Sequence, residues 1–224
     1  MNVAAANYAL LWDMDGTIVD DAQIHYAAWQ HTFQSFGFDL DRELYKANFG
    51  RKNQVLLPLL LGFDPTPEQF EQLVTIKETH FRKLVLKSKQ VVPGVEAWLA
   101  AAQAAGLKQA LVSSADRENI ECIMSGYDLA QYFDEIFPGT DFPAKPAPYM
   151  FLSAAERLQI PPENCCVIED SLAGVMAAKQ AAMKCIGVAT TLNDLELHQA
   201  DLIIEDYKIP LKSALAKIGF DTIL

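Results

Sequence analysis

Short apolar runs recur along the chain and alternate with longer segments of helical periodicity. Runs of this kind that end at polar or turn-forming residues are typical of buried strands. They are Ala9–Trp12, Gln109–Val112, Glu135–Phe137, Cys165–Ile168, Lys184–Val188 and Asp201–Ile204. Strands that alternate with helices form parallel sheets with helices on both faces. The pattern therefore predicts an α/β fold with a doubly wound, Rossmann-like sheet.

Three of the intervening segments predict helices that pack on this sheet. Val95–Ala105 carries apolar residues at helical spacing and ends before Gly106, a residue that favours helix termini. Tyr149–Leu158 has a similar pattern. Gly174–Ala182 is rich in alanine, which suits a helix that packs closely on a sheet.

Residues 21–90 break this alternation and predict an inserted helical domain. Their apolar positions have helical spacing in three stretches, without a convincing strand: Ile24–Phe36, Leu56–Leu61 and Phe70–Leu86. Pro93-Gly94 marks the return to the sheet pattern. We therefore expect an α/β core catalytic domain formed by residues 1–20 and 91–224, and a small all-helical cap domain formed by residues 21–90.

The composition and net charge limit the kinds of molecule that the protein is expected to bind. Hydrophobic residues make up 51% of the chain and charged residues 21%, which is ordinary for a globular protein. The formal net charge of −11 argues against nucleic acid or an anionic membrane as a partner, because both require basic patches. It does not exclude a small anionic substrate, since a bound cation can invert the local field.

The cysteines and the apolar runs indicate a cytoplasmic protein. The four cysteines lack the spacing of a zinc site, and Cys165 and Cys166 stand together in an apolar run, where we expect them to pack as small apolar side chains. No apolar run approaches the roughly 20 residues of a membrane span, and the first residues do not resemble a signal peptide. A reducing cytoplasm is therefore the expected compartment.

Polar groups follow several of the predicted strands, at the edge where open α/β sheets bind ligands. They stand in Asp13-Met14-Asp15-Gly16-Thr17, in Ser113-Ser114, in the loop that contains Lys145, and in Glu169-Asp170-Ser171. Carboxylates, hydroxyls and an ammonium are the groups that phosphoryl transfer requires. Oxygen ligands from Asp13 and Asp170 suit Mg²⁺, which would remove the repulsion between a carboxylate nucleophile and a phosphate. An attacking aspartate would form an aspartyl-phosphate.

These four motifs occur in the order found in the haloacid dehalogenase superfamily. Over nearly its whole length the chain resembles the subgroup of phosphatases and β-phosphoglucomutase-like enzymes, which carry a helical cap after the first strand. The resemblance implies that Asp13 is the nucleophile and Asp15 the general acid and base. Asp15 separates phosphoryl transfer from dehalogenation, because the dehalogenases of the superfamily lack this second aspartate.

The resemblance also implies a magnesium site and a phosphate site. The implied magnesium ligands are Asp13, the backbone carbonyl of Asp15 and Asp170, with Glu169 in support, either directly or through water. The implied phosphate-binding residues are Ser113, Ser114 and Lys145. Each has a plainer interpretation, for example Glu169 as a helix cap, Ser113 as a turn former and Lys145 as a solvated loop charge.

Four residues of the predicted cap are candidates for substrate contact: His25, Arg51, Lys52 and Lys77. A histidine similar to His25 occurs in β-phosphoglucomutases and in hydrolases of the subgroup, and a surface or packed histidine is the alternative. Arg51 and Lys52 stand in a loop, Gly50–Asn53, that resembles the substrate-selecting loop of the cap. For them and for Lys77 the alternative is a solvated charge.

Two cap positions depart from the family pattern. Aligned on Gly50, the phosphate-binding arginine of the mutases falls at Asn53, which cannot form an ion pair with a phosphate. Asp21 stands where Ser or Thr is more usual. Asp21 would either cap the first cap helix or add charge that disfavours some phosphate substrates.

The expected function is a Mg²⁺-dependent phosphatase that acts on a small phosphorylated metabolite such as a sugar phosphate. One alternative is a β-phosphoglucomutase-like phosphotransferase, which would pass the phosphoryl group to a sugar hydroxyl instead of water. Another is a non-catalytic binding protein on the same fold, although a binder has no need of a nucleophile. A phosphorylated receiver domain would be much shorter. We expect a monomer or weak homodimer.

Overall fold

The computed structural model describes residues 5–48, 51–191 and 195–220. The chain forms two compact units: Met1–Asp20 together with Gln90–Leu224, and Asp21–Lys89. We call the first the core unit and the second the helical unit. Within the core unit, the two points where the chain leaves and returns are hydrogen-bonded to each other, with the Asp20 amide 3.1 Å from the Gln90 carbonyl oxygen.

A parallel sheet of six strands forms the centre of the described core unit. The strands are β1 (Ala9–Trp12), β2 (Lys108–Ser113), β3 (Glu135–Pro138), β4 (Cys165–Glu169), β5 (Lys184–Val188) and β6 (Leu202–Ile204). Their order across the sheet is β3-β2-β1-β4-β5-β6, and every neighbouring pair is parallel. The predicted strands and the predicted fold class are confirmed.

The described part of the helical unit contains four helices and no strand. They are α1 (Ala22–Ser35), α2 (Arg42–Lys46), α3 (Asn53–Leu61) and α4 (Pro67–Ser88). The sequence analysis predicted three of them and missed α2, whose five residues are too few for a helical period. A common core of aromatic and leucine side chains holds them, among them Trp29, Phe33 and Tyr45.

Five helices accompany the sheet in the described core unit. They are α5 (Val95–Ala105), α6 (Arg117–Gly126), α7 (Tyr149–Leu158), α8 (Leu172–Gln180) and α9 (Leu211–Lys217). The prediction of α8 as 174–182 was shifted by two residues. The Ser171 hydroxyl accepts a hydrogen bond from the Gly174 amide and starts the helix earlier, while Ala182 has a positive φ of 58° that a helix cannot continue. The helices α6 and α9 were not predicted.

Alternate residues of the strands face opposite helical layers. Leu11 and Val167 pack with α7 and α8, whereas the Trp12 ring lies against Trp98 of α5. Cys165, Cys166 and Cys185 are buried in β4 and β5, as the prediction for the adjacent pair required. Among the described residues, no helix combines the length and the hydropathy that a membrane span needs.

Candidate active site

The first motif begins where β1 ends in the middle of the sheet. β1 lies between β2 and β4, and this is the place where the strand order reverses and where open α/β sheets bind ligands. The Asp13 amide continues the ladder by donating to the Ile168 carbonyl oxygen at 3.0 Å. Asp13 is therefore held rigidly at the carboxyl edge, and its side chain is buried.

A tight turn carries the second aspartate of the motif. The Met14 carbonyl oxygen accepts hydrogen bonds from the amides of Thr17, Ile18 and Val19 at 3.2, 2.7 and 3.0 Å. Gly16 has a φ of +79°, and a Cβ at this position would lie 2.0 Å from Oδ2 of Asp170. Only glycine fits, because the turn and the Asp170 carboxylate approach each other too closely for any side chain.

Lys145 joins the first and the last motifs of the site. Its Nζ donates to Oδ1 of Asp13 at 2.5 Å and to Oε1 of Glu169 at 2.6 Å. A third hydrogen bond reaches the Val112 carbonyl oxygen at 3.3 Å. The side chain is 5% exposed, so the interpretation of Lys145 as a solvated loop charge is wrong.

The site holds more negative charge than Lys145 can balance. Burial raises the pKa of Asp13 to about 8; the Lys145 ammonium opposes this shift, while the charges of Glu169 and Asp15 add to it. The pKa of Asp170 is also raised well above its usual range, first by burial and then by Glu169 and Asp13. Burial lowers the pKa of Lys145, but the attraction of Asp13 and Glu169 outweighs it and the net shift is upward.

The donor set fits a hard divalent cation. Asp13, Glu169 and Asp170 bring three buried carboxylates together around one ammonium, so that the three cannot all ionise unless a further cation compensates their charge. Carboxylate and carbonyl oxygens are the ligands that Mg²⁺ prefers. The prediction of Asp13, Asp15, Glu169 and Asp170 as magnesium ligands stays a prediction, and these residues are compatible with it.

Both carboxylate oxygens of Glu169 accept hydrogen bonds. Besides the bond from Lys145, its Oε2 accepts from the Ser171 amide at 2.7 Å and from the Ser171 hydroxyl at 2.8 Å. A Cβ on Gly174 would lie 1.8 Å from Oε1 of Glu169, so the glycine makes room for the carboxylate. Sequence reasoning missed this role of Gly174. Glu169 therefore orients Lys145 and the start of α8.

The two predicted phosphate-binding serines differ in their surroundings. Ser113 is the last residue of β2, its side chain is buried, and its Oγ accepts from the Ala115 amide at 3.1 Å. A hydroxyl that accepts one hydrogen bond still has its own proton to donate. Ser114 is exposed, and its backbone lies against Gly139, where a Cβ would be 2.4 Å from the Ser114 carbonyl oxygen.

Two of the predicted substrate-contact residues meet inside the helical unit. Nζ of Lys77 lies 3.0 Å from Nδ1 of His25 and 2.9 Å from Oε1 of Glu78. Nε2 of His25 lies 3.5 Å from a carboxylate oxygen of Asp21, and the imidazole stacks on Phe81 with ring centroids 4.0 Å apart. Lys77 is 4% exposed, so a solvated lysine is the wrong interpretation.

The remaining predictions for the helical unit have mixed outcomes. Asp21 stands at the N-cap of α1 but makes no side-chain capping bond, so the capping interpretation is wrong and its carboxylate faces His25 instead. Arg51 and Lys52 are exposed before α3, which begins at Asn53. Gly50, on which the loop was aligned, lies outside the described residues.

Comparisons with known proteins identify the family of this chain. The family described as haloacid dehalogenase-like hydrolase matches residues 9–182. A phosphorylated carbohydrates phosphatase of Thermotoga maritima is 32% identical over 83% of this chain and 87% of its own. A β-phosphoglucomutase of Bacillus subtilis is 29% identical over 80% and 82%.

One solved structure relates the fold to a sugar phosphate. A mutant of CbbY from Rhodobacter sphaeroides in complex with xylulose-(1,5)bisphosphate has a TM-score of 0.81 and 27% identity to this chain. The match covers 90% of this chain and 95% of that protein. The family match at residues 9–182 likewise takes in residues of both units.

Proposed function

Because this chain belongs to the haloacid dehalogenase-like hydrolases, we propose that it is a Mg²⁺-dependent phosphatase of a small sugar phosphate. The observation that carries the proposal is the buried group of Asp13, Lys145, Glu169 and Asp170 at the carboxyl edge of the sheet. An aspartate fixed at this edge beside an ammonium and two further carboxylates suits attack on a phosphoryl group and has no evident structural purpose.

Asp13 acts as the nucleophile. One of its carboxylate oxygens attacks phosphorus, and the bond from phosphorus to the sugar oxygen breaks as the new bond forms. Lys145 holds Oδ1 of Asp13 and therefore fixes the rotation of the attacking carboxylate. It also places a positive charge beside the phosphoryl oxygens, and the Ser113 hydroxyl supplies a further donor at the end of β2.

Asp15 moves the protons. It donates a proton to the departing sugar oxygen in the first step and takes a proton from water in the second, when the water attacks the phosphorus of the aspartyl-phosphate. Its half-buried position in the turn after β1 suits a group that must meet both the leaving oxygen and the water.

The proposed cation would be held by Asp13, Asp170 and the backbone carbonyl of Asp15, with Glu169 behind Lys145. When bound, Mg²⁺ would neutralise the charge of the phosphate and of the carboxylates around it. Asp170 is held in place by the hydroxyls of Thr17 and Thr191, so that its carboxylate is oriented before any ligand arrives.

A phosphotransferase of the β-phosphoglucomutase type is the second candidate. The Bacillus subtilis relative carries that name, and His25 stands where such mutases have a histidine. The position of the mutase arginine, however, is taken by Asn53. We therefore favour water over a sugar hydroxyl as the acceptor of the phosphoryl group.

The experiment is a screen of sugar phosphates, phosphoglycolate and nucleotides, with and without a hexose bisphosphate. We expect phosphate release that vanishes with a chelator, returns with Mg²⁺ and recovers poorly with Ca²⁺, whose longer bonds misplace the attacking oxygen. Isomerisation of a sugar phosphate without phosphate release would favour the mutase. Full activity in chelator would refute the magnesium mechanism.

A further inference from the structure

Tyr207 reaches the turn of the first motif from the far end of the chain. It lies between β6 and α9 and is 3% exposed. Its hydroxyl donates a hydrogen bond to the Thr17 carbonyl oxygen at 2.9 Å, across 190 positions of sequence. No sequence motif marked this residue, and none of the roles assigned above includes it.

The ring of Tyr207 is fixed by its packing. It contacts Trp98 edge-to-face with ring centroids 4.9 Å apart, and Trp12 with centroids 6.2 Å apart. Gly94 has a φ of +90°, and a Cβ there would lie 3.0 Å from Cβ of Tyr207. The glycine that returns the chain to the sheet therefore leaves the space that Tyr207 requires.

The hydrogen bond from Tyr207 continues toward the proposed cation ligands. The Thr17 side chain is fully buried, and its Oγ1 donates to Oδ1 of Asp170 at 3.4 Å. One residue earlier, the Gly16 carbonyl oxygen accepts a hydrogen bond from the Thr190 hydroxyl. Both carbonyl groups that follow Asp15 are thus held by side chains from the carboxyl-terminal third of the chain.

We propose that Tyr207 is a positioning residue that fixes the turn after Asp15 and, through Thr17 and Asp170, presets the cation site. This inference rests on the proposed magnesium chemistry. Without the phenol, the Thr17 carbonyl loses its buried donor, and the peptide between residues 17 and 18 is held only at its amide, by the hydrogen bond from Ile18 to the Met14 carbonyl oxygen. The turn that carries the Thr17 hydroxyl and the Asp15 carbonyl would then be held less firmly, and part of the ordering of the ligands would be left to the binding of the cation.

The phenol stays a donor over the whole working range of pH. Burial raises the pKa of Tyr207 well above its usual range, and the nearby charges of Asp170, Asp13 and Glu169 raise it further. A phenylalanine fills the same space against both tryptophans and removes only this donor. Tyr207→Phe is therefore a sharp test of the hydrogen bond as opposed to the packing.

The test measures Mg²⁺ binding by calorimetry, the Mg²⁺ concentration for half-maximal phosphatase activity, and the melting temperature. For Tyr207→Phe we expect Mg²⁺ to bind roughly tenfold more weakly, with most of kcat restored at saturating Mg²⁺. Tyr8→Phe is the matched control, because Tyr8 lies before the opposite end of β1, and we expect no change in Mg²⁺ affinity.

A second variant tests the connection through Thr17. Thr17→Val removes the hydroxyl that faces Asp170 and keeps the backbone carbonyl. The two substitutions are then combined. If Tyr207 acts through Thr17, the double variant Tyr207→Phe with Thr17→Val should lose no more Mg²⁺ affinity than the more damaging of the two single variants. Multiplicative losses would contradict the relay.

Two outcomes would overturn the inference: a lower melting temperature with unchanged Mg²⁺ affinity, which is a purely structural role, or no change in any measurement. Failure of the proposed function is distinguishable from both. A wild-type protein that binds Mg²⁺ but hydrolyses no phosphate ester would refute the phosphatase, while calorimetry would still decide the role of Tyr207.

Discussion

Each unit of this protein buries a lysine, and the two lysines differ in the charged groups around them. The side chains of Lys145 and Lys77 are each 5% exposed. Lys145 is bonded to two carboxylates at the carboxyl ends of β1 and β4, with a third carboxylate beside them. Lys77 is bonded to its own neighbour Glu78 and to His25 of the adjacent helix. Burial of an ammonium is therefore common to both clusters, and the balance of charge separates them.

The balance of charge supports the core cluster as the proposed catalytic site. In the core unit, burial of excess carboxylates raises the pKa of Asp13 and of Asp170, a cost that a bound cation or a reacting phosphoryl group with its cation would relieve. In the helical unit, Glu78 pairs with Lys77, and His25 lies beside Asp21. That cluster sets two buried carboxylates against one ammonium and one imidazole, so its excess of carboxylates is smaller than in the core unit.

The strongest test of this comparison is the nucleophile. Asp13→Asn should fold and lose essentially all turnover, because an amide cannot form the aspartyl-phosphate. Circular dichroism and phosphate release on the best substrate measure the two properties. Near wild-type activity of the purified variant would remove the basis for calling the core cluster catalytic.

A smaller loss is expected at the proton-transfer residue. Asp15→Ala should slow turnover by roughly 10²–10⁴-fold on every substrate, because both proton transfers lose their carrier. Rapid-quench measurement of both half-reactions checks this expectation. A loss confined to a single substrate would assign Asp15 to substrate selection instead.

The two lysines can be compared directly. Lys77→Met leaves Glu78 buried without its ammonium and should lower the free energy of unfolding by about 3–5 kcal/mol. Addition of Glu78→Gln should recover most of that stability, measured by denaturant unfolding. In the core unit, the matching pair is Lys145→Met with and without Glu169→Gln. We expect the second substitution to leave the lost phosphatase activity unrestored. If the double variant were as unstable as Lys77→Met alone, Lys77 would stabilise the helical unit through a partner other than Glu78, such as His25.

The smallest effect is expected in the exposed loop before α3. Arg51→Ala combined with Lys52→Ala should raise KM for anionic sugar phosphates by several-fold, at about 1 kcal/mol or less per exposed charge, and leave hydrolysis of a small aryl phosphate unchanged. Steady-state kinetics on both substrates provides the measurement. No change on either substrate would make the pair a solvated basic loop.

Much of the core unit was predictable because its strands are short, buried and bounded by turn residues, so that their pattern survives in the sequence. The groups at the carboxyl edge were predictable for a related reason. A parallel sheet places every strand end at one edge, and the motifs around Asp13, Lys145 and Asp170 stand at those ends. Glu169 was less clear, since its bonds to Lys145 and Ser171 depend on folded geometry.

The helical unit was harder to predict, because the spacing of residues on a helix does not reveal which charged side chains are buried. Lys77 and Glu78 are adjacent in sequence and look like ordinary surface charges of an amphipathic helix, yet both are buried beside His25. Tyr207 was missed because its contact with Thr17 is a single long-range bond from an aromatic residue outside every motif. Contacts of this kind are specified by packing, and one sequence does not reveal them.

The hydrogen bond between Asp20 and Gln90 has a consequence for how this protein can be remodelled. Val19 pairs antiparallel with Val91, and the Val92 amide donates to the Ile18 carbonyl oxygen at 2.8 Å. The two chain segments that flank the insertion, residues 18–20 and 90–92, are therefore hydrogen-bonded to each other within the core unit. We call this pairing the seam. We therefore expect that a different helical insert grafted at this seam, or a short turn in its place, would keep the sheet intact. Chimeras made at this seam would show whether the helical unit selects the substrate, as proposed for Arg51 and Lys52.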